Sequence, residues 1–176
     1  MELVIPAEGF TLPSGYVLKE MSIIFFNREY KHFLFKKPTN FLPTPKDIIT
    51  IKFTTKRFNG LSFLEGDVPY NLIEDILTPY KDYKMYTYSD IFKKFLENIL
   101  PSTTITNIQT YGKKLPATLP KPNCFRNHRA RYCSLAKAKA ILKIVETEIK
   151  IDKTVHNTRT EKWKPFPKRT GVFYRK

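Results

Sequence analysis

Apolar side chains fall along this chain in short runs broken by proline and glycine, and the period of each run predicts its element. Residues 16–26 are rich in β-branched and aromatic side chains and predict a strand. The polar stretch Asn27-Arg28-Glu29 predicts a turn, and residues 30–37 a second strand completing a hairpin. Pro38, Pro43 and Pro45 mark a loop, after which the run of isoleucine and threonine at 48–54 predicts a third strand. Asn59-Gly60 and Glu65-Gly66-Asp67 read as turns, and Pro69 suits the first position of a helix over 69–77. A fourth strand is predicted at 84–88, a helix capped by Ser89 at 90–100, and a fifth strand at 103–109. The last helix, 134–150, places Leu135, Ala138, Ile141, Leu142 and Val145 on one face. No internal repeat interrupts this order.

Composition adds a class and a partner. The 176 residues, 41% hydrophobic and 14% aromatic, can fill one core, predicted over 1–150, and no apolar run approaches the length of a membrane span. Lys and Arg outnumber Asp and Glu 31 to 16, a formal charge of +15 that favours a polyanionic partner through phosphate neutralisation. Residues 151–176 form a basic tail in which Lys162, Lys164, Lys168 and Arg169 surround Trp163 and Phe166, while Pro165 and Pro167 oppose a helix. Cations with interleaved aromatic rings pair phosphates and stack bases, so Lys162, Trp163, Lys164, Lys168 and Arg169 are candidate contacts to a single strand. A solubilising end or a strap docked on the domain is the competing use of the same residues.

Both cysteines and one of three histidines lie in the ten residues Cys124-Phe-Arg-Asn-His128-Arg-Ala-Arg-Tyr-Cys133, directly before the last helix. Thiolate and imidazole are the ligands zinc takes, and a structural site needs four, so one more must come from elsewhere. A disulfide would not need the intervening histidine. The first residues, Met1-Glu-Leu-Val-Ile-Pro, lack the pattern of a secretory signal, so a cytoplasmic or nuclear setting with reduced thiols is expected. Two buried thiols beside a solvated histidine would need no function. A Cys–His nucleophile is disfavoured because Pro116, Pro120 and Pro122 lead into the cluster without an oxyanion arrangement. His32, among aromatics on the second predicted strand, reads as a packed or edge residue with no Cys or acid spaced to join it, and His156 as solvated. The alternating Ala and Lys of residues 136–140 read as helix propensity with a solvated basic face. No phosphate-loop pattern occurs.

Three strands followed by helix, strand, helix, strand, helix resembles the layout of RNase H-like nucleases, an α/β fold with a mixed five-stranded sheet. In exonucleases of the DEDDh type the first strand carries Asp-x-Glu, a middle acid lies near the helix after the fourth strand, and His-x4-Asp opens the last helix. Leu18-Lys19-Glu20 keeps only the glutamate, Asp90 falls near the middle acid, and His128-Arg-Ala-Arg-Tyr-Cys133 keeps the spacing with Cys in place of Asp. Two-metal chemistry needs several hard carboxylates together, and Leu18 and Cys133 remove two. These departures are similar to the Maelstrom domain, an RNase H-like domain of small-RNA transposon silencing that carries Glu-Cys-His-Cys around zinc. The resemblance spans roughly residues 15–145 and includes the hairpin of Lys19-Glu-Met-Ser-Ile-Ile-Phe-Phe26 with Tyr30-Lys-His-Phe-Leu-Phe-Lys-Lys-Pro38. It implies a structural zinc held by Glu20, Cys124, His128 and Cys133. Four protein ligands leave no place for an activated water, and Arg126, Arg129 and Arg131 would offset the negative ligand set and reach a strand's phosphates.

The expectation is a zinc-stapled, catalytically degenerate domain binding single-stranded nucleic acid, RNA before DNA, in RNA silencing or in mobile-element or viral biology. An active nuclease is the first alternative: the resemblance implies single-strand RNA cleavage that does not use the zinc set, and Glu20, Asp90 and His128 could instead carry weak metal-dependent activity of the 3′–5′ exonuclease kind. A protein-interaction adaptor whose basic tail docks an acidic partner is the second.

Overall fold

The structure, a computed structural model, describes residues 1–120 and 132–147. Its strands are β1 (Glu2–Val4), β2 (Ala7–Leu12), β3 (Gly15–Phe25), β4 (Tyr30–Leu34), β5 (Lys84–Thr87) and β6 (Ile105–Asn107). Its α-helices are α1 (Pro45–Thr54), α2 (Ile73–Leu77), α3 (Asp90–Ile99) and α4 (Ser134–Thr147). All six strands join one mixed sheet.

The chain therefore opens with two strands that its composition conceals. Pro6 cannot donate to a ladder and Gly9 weakens one, so residues 2–12 carry no strand signature. Tertiary pairing overrides both. β1 and β2 lie end to end along one edge of β3 in continuous antiparallel register, Val4 opposite Ile24 and Ala7 opposite Met21. The Pro6 carbonyl accepts from Ser22 N–H at 3.1 Å, so the ladder survives the proline. On its other edge β3 pairs antiparallel with β4, and β1 pairs in parallel with β5, which pairs in parallel with β6. Across the sheet the order is β4, β3, the β1–β2 strand, β5, β6.

The third predicted strand is corrected. Residues 48–54 belong to helix α1, because the start signal outweighs the β-branched content. Thr44 accepts from Asp47 N–H at 3.2 Å, the Asp47 carboxylate accepts from Thr44 N–H at 2.9 Å, and Pro45 holds the first turn. The remaining elements lie within a few residues of their predicted ends. Pro69 introduces a 3₁₀ turn, Tyr70–Leu72, ahead of a short α2.

Two apolar layers enclose the sheet. On one face Leu3, Ile5, Met21, Ile23 and Met85 pack against Leu77 of α2 and Phe92 and Leu96 of α3. On the other Val4, Ile24 and Tyr86 meet Ala138, Ile141, Leu142 and Val145 of α4. Arg28, in left-handed conformation at the β3–β4 turn, clasps Glu146 at 3.0 and 3.1 Å and ties the hairpin to the far end of α4.

Between Glu8–Glu20 and Gly9–Leu18 the register of β2 against β3 slips, which makes Lys19 the extra residue of a bulge. Gly9 is required here, since a Cβ would stand 2.3 Å from the Val17 carbonyl. The bulge splits neighbours between faces: Leu18 enters the α2–α3 core, whereas Glu20, Ser22 and Ile24 face α4. Lys19, wholly buried, donates to the carbonyls of Phe35, Phe63 and Glu65, which replace its lost hydration and hold residues 63–65 against the sheet.

Desolvation pushes the Asp47 carboxyl up, but bonds from Thr44 and Ser14 outweigh it and leave its pKa lowered. A lowered carboxyl contributes stability above its unfolded value and loses it as pH falls through the folded value. Asp47→Asn should therefore lower stability at neutral pH, because the charged acceptor of the Thr44 and Ser14 bonds is lost. The difference from the unmodified protein should shrink below the ordinary carboxylate value of about 3.9. Urea midpoints across pH check this, and a constant difference down to the acid limit would contradict it.

Candidate metal centre

Glu20 is the hub of the site. It lies on β3 below the first turn of α4, 1% exposed, where an unpaired carboxylate would be costly. Its Oε2 accepts from the Ser134 backbone N–H at 3.3 Å, a donor at the helix start that also favours negative charge. Its Oε1 stands 3.7 Å from the buried Cys133 Sγ and 2.6 Å from His32 Nε2. Beside them the Ser22 and Ser134 hydroxyls share a 2.8 Å hydrogen bond that fixes α4 on β3.

His32 corrects the expectation that no acid could join it. The β3–β4 register sets His32 opposite Ser22, diagonal to Glu20 on the same face, a distance long side chains bridge. Nothing in the one-dimensional spacing shows this, because the hairpin register creates the contact. Glu8 is a second acid that sequence reasoning missed. It stands directly across β2 from Glu20 and binds the Lys137 ammonium. Burial first, and then the Glu8 carboxylate, push the Tyr16 phenol well above its ordinary value. The expected solvated lysine face of α4 is corrected accordingly. Lys137 turns onto Glu8 with its ammonium 5.9 Å from the Tyr132 ring, and Lys139 lies over Tyr30 at 5.8 Å.

Two placements carried by the exonuclease pattern do not assemble. Leu18-Lys19-Glu20 lies on β3 rather than on the first strand, and the bulge puts Leu18 and Glu20 on opposite faces, so no Asp-x-Glu pair could be rebuilt there. Asp90 begins α3 beyond the end of β5, exposed, with its Oδ1 2.7 Å from Asn107 Nδ2. β1 separates β5 from β3, so Asp90 is about two strand spacings, roughly 10 Å, to the side of Glu20.

Cys124, His128, Arg126, Arg129 and Arg131 lie outside the described residues, as do Lys162, Trp163, Lys164, Lys168, Arg169 and the boundary at 150. Among the described residues no three His, Cys, Asp or Glu side chains gather so as to hold a metal by themselves. The two proposed ligands that are described do fit one ion. Zn–O near 2.0 Å and Zn–S near 2.3 Å at a tetrahedral angle put the two ligand atoms about 3.5 Å apart, close to the 3.7 Å between Glu20 and Cys133. Oxygen and nitrogen on the same ion would stand about 3.3 Å apart. The 2.6 Å contact of His32 is a hydrogen bond to Glu20 instead.

Replacing Glu20 with Ala or His32 with Ala should each lower stability, with a coupling of about 1.5–3 kcal/mol in the double-mutant cycle, the range for a hydrogen bond to a charged group. Denaturant midpoints of the four proteins measure it. Additivity within about 0.5 kcal/mol would mean the pair is not formed.

No protein-family model matches the chain, and no curated protein or solved structure matches it. The chemistry of its own side chains is what bears on its role.

Proposed function

We propose that the chain is a zinc-stapled, catalytically degenerate RNase H-like domain that binds single-stranded nucleic acid, RNA before DNA. The observation carrying this reading is the contact of Glu20 with Cys133, which brings the first and last members of a Glu-Cys-His-Cys order to one point across 113 residues. The element order supports the fold: antiparallel strands lead, parallel strands follow through intervening helices, and a long helix closes on the opposite face. Cys124 and His128 would complete the ion's shell from the segment before α4. When bound, the ion supplies a cross-link between β3 and α4, and four protein ligands leave it no water to activate.

Three features favour binding over hydrolysis. The Glu8 carboxylate is neutralised by Lys137, which occupies the negative charge that a catalytic cation would use. Asp90 engages Asn107, and Leu18 is packed in the opposite core. The formal charge of +15 supports a polyanionic partner. No described helix is long and apolar enough to cross a membrane.

Native mass spectrometry of the purified protein should find one zinc, lost in Cys133→Ala together with stability. Labelled single strands should bind with a log–log salt slope of about −0.7 per phosphate contact, flattened by deleting residues after Lys150. Metal-free protein with salt-independent binding would refute the proposal. Degradation of strands from the 3′ end in Mg²⁺, abolished by Glu20→Gln, would put an active exonuclease in its place.

A further inference from the structure

The face of α1 and the turn after it stand apart from both cores. Of the helix only Asp47 is buried, while Ile49 is 68% and Phe53 55% exposed. Packing against the other described residues does not account for these side chains. Ile49, Lys52 and Phe53 follow the i, i+3, i+4 spacing and share one side of α1. The helix then widens into a π-helical turn, Thr55–Asn59, closed by Gly60 in left-handed conformation. A π turn brings residues five apart over one another, and Phe53 and Phe58 meet edge-to-face at 5.5 Å. Phe58, 43% exposed, reaches in turn to Tyr132 at 6.1 Å, the residue next to Cys133. The result is a strip of three aromatic rings running from the C-terminal end of α1 to the edge of the Glu20–Cys133 site.

Charge selects the occupant. Lys52 and Lys56 are exposed along the strip, and the only acid between residues 45 and 59 is Asp47, buried and satisfied by Thr44 and Ser14. An acidic helix could pair the lysines and cover the apolar side chains, but edge-to-face rings leave exposed π faces at intervals, the surface on which successive bases stack.

We propose that Phe53, Phe58 and Tyr132 form a stacking platform for the bases of a single strand, with Lys52 and Lys56 pairing its phosphates. It rests on the single-strand reading above and names the surface that reading requires. Stacking is insensitive to salt, whereas lysine–phosphate pairing releases counterions, so the two contributions separate in a titration. The probe is a fluorescein-labelled oligouridylate followed by anisotropy over a range of salt. Phe53→Ala and Phe58→Ala should each weaken binding about five- to a hundredfold with the slope unchanged. Lys52→Ala and Lys56→Ala should each flatten the slope by about 0.7. Because Phe58 also touches Tyr132, Phe53→Trp made together with Trp163→Phe, which removes the native indole, gives an independent reading, the emission at position 53 being quenched when oligouridylate is added. Tight binding by both alanine variants, with no change in the indole emission of that double variant, would overturn the platform and leave the single-strand reading standing. Failure of the unmodified protein to bind the probe would remove both. Quenching by polyglutamate at the same concentration would make the strip a docking surface for an acidic protein instead.

Discussion

The bulge at Lys19 is the constraint on which the site and both cores depend. A regular β3 would place Leu18 and Glu20 on one face, burying a carboxylate among leucines or exposing a leucine to the α4 helix start. The extra residue resolves the conflict by turning Leu18 into the α2–α3 core and leaving Glu20 under α4. Its cost is a lysine side chain buried away from water, and three carbonyls take up that ammonium. The same arrangement fixes residues 63–65, so Phe63 can close the small core of Phe10, Leu12 and Val17 beneath α1.

Around Glu20 the buried polar groups are compensated one by one. Two carboxylates directly opposite on neighbouring strands repel, and the structure compensates each separately. Glu8 receives Lys137, while Glu20 receives the Ser134 N–H at the start of α4 and His32 from the neighbouring strand. Each compensating group comes from an element that must be docked for the charge to be tolerated. Placement of α4 and neutralisation of the site are therefore one event, which is also what a structural ion bridging Glu20 and Cys133 would reinforce.

The α1 face meets this site through Tyr132, whose ring contacts Phe58 edge-to-face and also stands 5.9 Å from the Lys137 ammonium. Residues on one side of Tyr132 present exposed apolar and cationic groups, and those on the other bind buried charge. A strand laid along the aromatic strip would thus end at the α4 helix start, close to the groups most sensitive to how that helix is seated.

From the sequence alone the long amphipathic helices, the β3–β4 hairpin and the parallel strands were legible, because each carries its own period and cap. Glu20 and Cys133 were legible as candidates through a resemblance in residue order. The first two strands were not, since Pro6 and Gly9 erase their propensity and only pairing with β3 and β5 makes them strands. Nor was α1, where the Thr44–Asp47 capping box and packing beside β2 override a run of isoleucine and threonine; the box itself was the available signal. His32, Glu8 and Lys137 were assigned by tertiary structure, because strand register and helix docking bring residues far apart in the chain within hydrogen-bonding reach. Local periodicity marks the elements that carry their own period and cap, whereas long-range pairing makes β1 and β2 strands and decides which buried charges meet.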